Sequence, residues 1–228
     1  MPSIKFSSIK RASTSRSPNK GLGFNAVALL VWIGILSASQ QAMAHHPLGN
    51  RTPSNFIEGF ASGLAHPIIG LDHLAFVVAV GLMSAGLVRG FLVPGAFVLA
   101  SLVGTGLHLL SLDLPGLEII IAGSVVAFGG LLLASKTPSL PILAGLAAVA
   151  GIFHGYAYGE AIIGARMAPL LAYLLGFSII QYGVAMLALW LGRVAIAKFA
   201  NKPFPVMQVL GFAICSVGVM FLTSALVG

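Results

Sequence analysis

Six long runs of apolar residues dominate the chain, and polar or charged residues separate each run from the next. The runs cover residues 68–88, 91–111, 115–134, 140–162, 168–191 and 205–227. Each is close to the ~20 residues that a helix needs to cross the hydrocarbon core of a bilayer. Because that core offers no water to the backbone, a helix is the structure that fits runs of this length. The pattern predicts an all-α, polytopic membrane protein with six transmembrane helices.

The segment before the first run has the periodicity of a surface helix. Its apolar residues recur at helical spacing: Phe56, Ile57, Phe60 and Leu64. Ser54 precedes them at a capping position. We expect a short amphipathic helix on the outer surface of the membrane. The alternative is a continuation of the first transmembrane helix, which Pro67 in a first turn would allow.

The first 44 residues have the pattern of a cleavable signal peptide. Residues 1–23 are basic and rich in serine, residues 24–37 are apolar, and Ala42-Met43-Ala44 fits the small-x-small cleavage rule. An apolar core of about 14 residues is short for a span, which favours removal over retention as an uncleaved anchor. The chain then divides into the signal peptide (1–44), an external N-terminal segment (45–65) and a six-helix transmembrane domain (66–228).

Composition supports a membrane protein and argues against a nucleic-acid-binding protein. Aliphatic and aromatic residues make up 58% of the chain and charged residues only 7%, against about a quarter charged in soluble domains. The net charge of +7 would suit nucleic-acid binding. Five of the twelve basic residues lie in the first twenty positions, however, so we expect no nucleic-acid partner. The single cysteine, Cys215, excludes an internal disulfide and a thiolate cluster.

The remaining basic residues predict the orientation in the bilayer. If the signal exports residue 45, the inner loops carry five of them: Arg89, Lys136, Arg193, Lys198 and Lys202. The outer segments carry two, Arg51 and Arg166. This asymmetry obeys the positive-inside rule and places both ends of the mature protein outside.

Three metal-capable side chains open the first run: His66, Asp72 and His73. An ionisable residue inside a span costs about 2.5–3.5 kcal/mol at the helix centre, so such a residue indicates a functional site. On one continuous helix His66 and His73 would share a face. Imidazoles with a carboxylate suit Ni²⁺, Co²⁺ or Zn²⁺. The alternative is that Asp72 bonds a neighbouring helix and the histidines are satisfied core residues.

A second polar cluster lies in the fourth run, in GIFHGYAYGE at residues 151–160. His154 and Glu160 are its candidate ligands. Glycines recur every fourth residue at 151, 155 and 159, a stripe that permits close helix packing. We expect this stripe to bring the fourth helix against the first, so that His154 and Glu160 join His66, Asp72 and His73 around one ion.

Other candidates are weaker. His108, near the outer end of the second run, is either a third-helix ligand, a residue on the ion's way in, or a helix-end partner. His45 and His46, at the new N-terminus after cleavage, either chelate a metal ion or decorate a solvated tail. Asp113 and Glu118 suit the start of the third helix as helix-dipole partners, and would also attract cations.

Two motifs resemble the signatures of the HupE/UreJ family of nickel/cobalt permeases. HPIIGLDH at residues 66–73 matches the family's HPxxGxDH in full, and FHGYAYGE at residues 153–160 is similar to its FHGxAHGxE. The chain departs from the second signature in two ways. Tyr158 stands where the family has a second histidine, and Glu160 follows Gly159 directly, one place early.

The resemblance implies uptake of Ni²⁺ or Co²⁺ across a bacterial inner membrane, with no resident cofactor. The partners are then the transported ion and the lipid bilayer, and the oligomeric state is open, a homo-oligomer included. The rival function is an intramembrane zinc-dependent hydrolase built on the same His/Asp cluster. A third alternative is a non-transporting assembly subunit whose polar groups hold helices together.

Overall fold

The computed structural model describes residues 51–134, 136–199 and 206–227, and within these ranges the regular secondary structure is helical, without strands. The predicted signal peptide, with His45 and His46, lies outside them. The helices are α1 (Phe56–Ile69), α2 (Leu71–Ser84), α3 (Leu92–Leu109), α4 (Leu117–Leu133), α5 (Leu140–Gly159), α6 (Met167–Phe199) and α7 (Val206–Val227). A short 3₁₀ helix, Glu160–Ile162, extends α5.

Within the described ranges, four helices are long and apolar enough to cross a membrane: α3, α5 with its 3₁₀ extension, α6 and α7. The bent pair of α1 and α2 makes a fifth span if it is counted as one. α4 is apolar but has 17 residues, or about 25 Å of helix. The chain is therefore a multi-pass helical protein, while the count of six spans stays a prediction.

The first predicted span is broken, and the expectation of one continuous helix is wrong. α1 runs through Pro67 to Ile69, and α2 begins at Leu71 after a bend of 80°. Gly70 makes the break with φ −70° and ψ 103°. The helix expected over residues 54–64 is thus longer than predicted. Its N-cap is Asn55, whose side chain accepts from the Glu58 backbone N–H, and not Ser54.

α2 is the central helix of the bundle. It contacts α4, α6 and α7, and most of its side chains belong to the main hydrophobic core. Arg193 of α6 donates to the carbonyl oxygens of Ala85 (3.3 Å) and Leu87 (3.1 Å), just beyond the C-terminus of α2. The second half of the broken span is therefore surrounded by neighbouring helices.

The glycine stripe of α5 packs against α3, which corrects the expectation that it would face the first helix. A side chain at Gly155 would overlap the Ser101 backbone, and one at Gly151 would lie 2.6 Å from the Phe97 carbonyl oxygen. Thr105 of α3 also donates to the Gly155 carbonyl oxygen at 2.7 Å. α3 and α5 therefore form one of the closest helix pairs, and the α5 residues on other faces remain available to α2.

Candidate functional site

Two buried histidines from different helices meet in the core. His73 in the first turn of α2 and His154 of α5 have their Nδ1 atoms 2.9 Å apart. His73 is 7% exposed and His154 is fully buried. The backbones of α2 and α5 are not among the closely packed pairs, so the imidazoles themselves bridge the two helices. The predicted contact between the first span and His154 is therefore present, but two side chains make it and the helix backbones do not pack closely.

Ser124 of α4 fixes how the protons are arranged in this pair. Its hydroxyl donates to the Ile121 carbonyl oxygen (2.7 Å), so its oxygen accepts from His154 Nε2 at 3.0 Å. With the His154 proton on Nε2, its Nδ1 is an acceptor and His73 Nδ1 is the donor. His73 Nε2 then carries no proton and is an acceptor. Ser124 was not predicted, because nothing in the sequence links a lone hydroxyl in an apolar run to a histidine.

Aromatic rings enclose the imidazoles. Phe76 stacks on His154 with ring centroids 4.4 Å apart, and Phe97 meets the same ring edge-on at 5.9 Å. Tyr158 lies against His73 at 4.7 Å and is fully buried. Its hydroxyl has no hydrogen-bond partner among the described residues. The site is therefore buried and enclosed by aromatic rings, with one phenol oxygen that has no partner among the described residues.

His66 reaches the cluster across the helix break. Its ring centroid lies 6.2 Å from that of His73 and 5.3 Å from that of Tyr158. His66 and His73 were predicted to share one face of a single continuous helix. The bend at Gly70 removes that face, and the two rings approach each other because the α1 and α2 ends converge at the break. The proximity is present, but the reason given for it was wrong.

Asp72 serves the start of α2. Its Oδ1 accepts from the His73 backbone N–H at 2.8 Å, in the first turn of the helix where a carboxylate opposes the positive end of the helix dipole. The side chain is half-buried. Asp72 thus positions the backbone of His73, and its second oxygen makes no hydrogen bond within the described structure.

Two predicted ligands are not brought to the cluster. Glu160 is exposed in the 3₁₀ helix and makes no hydrogen bond or ion pair with any described residue. His108, at the end of α3, packs on Tyr156 with ring centroids 4.4 Å apart and lines a separate pocket. Within the described ranges, no three His, Cys, Asp or Glu side chains form a group that could hold a metal ion.

Membrane-length apolar helices around a buried imidazole pair define a polytopic membrane protein with a polar site in its core. The family model described as "HupE / UreJ protein" matches residues 33–221. Protein HupE of Rhizobium leguminosarum bv. viciae is 30% identical over 167 residues, covering 72% of this chain and 85% of the relative. The chain belongs to the HupE/UreJ family. No solved structure is significantly similar to it.

Proposed function

We propose that the chain is a permease for a divalent transition-metal ion, Ni²⁺ or Co²⁺, in a bacterial inner membrane. Membership of the HupE/UreJ family supports transport. The observation that carries the proposal is the contact between His73 Nδ1 and His154 Nδ1, 2.9 Å apart in the apolar core. Neutral imidazole is the nitrogen ligand that such ions take in proteins.

The ligand set begins with the imidazoles of His73 and His154. His66 stands at the next ring position and Asp72 supplies the nearest carboxylate. Together they offer the nitrogen and oxygen donors that suit borderline divalent ions. Glu160 is exposed and stays outside this inner set. The ion is the transported substrate, and no resident cofactor is part of the proposal.

A proton and a metal ion compete for the same atoms. In the hydrogen-bonded pair one proton lies between the two Nδ1 atoms. An ion that binds both Nδ1 atoms needs both of their lone pairs, so the proton on His73 Nδ1 must first move to Nε2 of the same ring. Affinity should therefore fall as the pH falls, since more protons then compete for each imidazole.

The test is accumulation of radioactive Ni²⁺ and Co²⁺ by cells that express the protein. His73→Ala and Asp72→Asn should lower uptake by about tenfold or more at matched expression, since each removes a ligand or its support. Ser178→Ala is the matched control, because the Ser178 hydroxyl bonds only the Leu174 carbonyl oxygen of its own helix. Unchanged uptake in both site variants would remove the proposal.

The rival zinc hydrolase makes a different forecast in the same variants. Purified protein would hydrolyse a lipid or a peptide, and His73→Ala would abolish that hydrolysis while uptake by cells stayed at the background level. Such an enzyme needs a water-activating base beside the metal. Glu160, the acid nearest in sequence to His154, is exposed outside the cluster. Tyr158, the other candidate helper, lies beside His73 with a hydroxyl that has no partner among the described residues, so the support for transport over hydrolysis comes from the family.

A further inference from the structure

A pocket of about 280 Å³ opens at the end of the bundle where α3 and α5 both finish. Three of its walls are polar side chains, His108, Ser111 and Asp113, and Tyr156 forms a fourth. No lysine or arginine is among the residues that line it. The electrostatic character of the pocket is therefore set by one carboxylate.

His108 is held in this pocket by its packing. Its side chain lies directly on Gly159, where a Cβ would come within 2.7 Å of His108 Cβ, and its ring meets Tyr156 edge-on. The Nδ1 atom is buried and has no hydrogen-bond partner among the described residues. The imidazole thus lines the pocket in a fixed orientation, with Nδ1 turned into the protein and away from the open space.

We infer that this pocket is a second divalent-cation site, distinct from the imidazole pair in the core. His108 supplies Nε2, the ring nitrogen opposite the buried Nδ1, and Asp113 supplies the charge and an oxygen. The pocket is large enough for the ion to keep several of its waters, which fill the remaining positions. A mixed nitrogen and oxygen set with water is typical of sites for Ni²⁺, Co²⁺, Zn²⁺ and Mn²⁺.

The two sites share one helix and face different sides of it. Tyr156 lies against His108 in the pocket, whereas Tyr158, two residues on, lies against His73 in the core. Two residues turn a helix by about 200°, so α5 itself separates the sites. Binding in the pocket does not depend on the proposed function. Its use as a waiting position for the transported ion does.

The experiment isolates the pocket by removing the core site. Full-length protein in lipid nanodiscs, carrying His73→Ala and His154→Ala, is titrated with Co²⁺ by calorimetry and by visible absorption. We expect one remaining equivalent of Co²⁺. Adding His108→Ala should weaken it by about tenfold or more, and Asp113→Asn should also weaken it. Glu118→Gln is the control, an exposed acid near Asp113 that does not line the pocket.

The outcomes separate the two proposals. Loss of all Co²⁺ binding in the double variant, or binding that neither pocket substitution weakens, overturns the second site. Asp113 is exposed, so Asp113→Asn tests the site even if His108→Ala disturbs packing. If Co²⁺ still binds in the pocket but His73→Ala does not change ion uptake by cells, the second site is supported and the proposed function is overturned.

Discussion

At the scale of single residues, the core site depends on a chain of hydrogen bonds that ends at His73. Ser124 accepts from His154 and thereby decides which nitrogen of each imidazole carries a proton. Such outer partners hold a ligand ring in one tautomer and one orientation. A hydroxyl on α4 therefore controls the chemistry of a histidine on α2 that it does not touch.

Replacing Ser124 tests this dependence. In Ser124→Ala, His154 Nε2 loses its partner and the imidazole is free to change tautomer, so the affinity for Ni²⁺ should fall by about tenfold. The fold should survive, since one hydrogen bond contributes about 1 kcal/mol. Calorimetric titration of purified protein gives the affinity and a thermal melt gives the stability. An affinity equal to that of Ser178→Ala would show that Ser124 has no part in the site.

The sequence was enough to find the histidines, because ionisable side chains inside apolar runs are costly and their presence requires a reason. His73 and His154 were both identified in this way, and they meet. Glu160 was chosen by the same logic, but it directly follows the last residue of α5 and its side chain is exposed. Ser124 and Phe76 carry no such cost, and only the packing shows that they touch His154.

At the scale of helices, the break at Gly70 is the feature that brings α1 and α2 to the site. Its φ of −70° is one that any residue adopts, so left-handed backbone is not what requires a glycine. The requirement is space, because a Cβ at Gly70 would lie 2.7 Å from Cδ2 of the His73 ring. Because Gly70 has no side chain, the His73 imidazole can lie directly beside the helix break.

Gly70→Ala should therefore damage the site more than the fold. The added methyl group displaces the His73 ring from His154, and we expect uptake of Ni²⁺ to fall by about tenfold. Gly123→Ala is the control, since a Cβ there meets nothing within 4 Å and alanine favours a helix by about 0.5–1 kcal/mol. Normal uptake in Gly70→Ala, measured beside that control, would contradict this account of the break.

Helix existence was predictable and helix pairing was not. Each apolar run overlaps one of the described helices, because run length and hydropathy fix where a chain enters and leaves a bilayer. The break could not be located, since Pro67 is typical of a helix start, whereas here it lies inside α1, three residues before Gly70. The partner of the glycine stripe was also open, because a stripe of small residues fits any helix that approaches, and here α3 does.

At the scale of the whole molecule, the ends of the helices define two sides. Thr52 donates to the Ile163 carbonyl oxygen at 3.3 Å, which ties the segment before α1 to the loop after α5. The pocket at His108 lies at this end of the bundle too. Charge asymmetry in the loops predicts that this is the periplasmic side.

Cysteine labelling tests that orientation. In a Cys215→Ala background, which removes the one native thiol, Leu110→Cys and Ile163→Cys should react with an impermeant maleimide added outside spheroplasts. Val88→Cys and Thr137→Cys should react only after the membrane is permeabilised. All four positions are exposed or partly exposed in the structure, so access depends on the side of the membrane. The reverse pattern would invert the proposed topology.

Both halves of the broken span are held by the same neighbour, α6. Arg193 of α6 donates to the carbonyl oxygens just past the C-terminus of α2. α1 lies directly on α6, where a Cβ at Gly63 would overlap the Tyr173 carbonyl oxygen. α6 therefore sets the angle at which α1 and α2 meet, and with that angle the distance between the rings of His66 and His73.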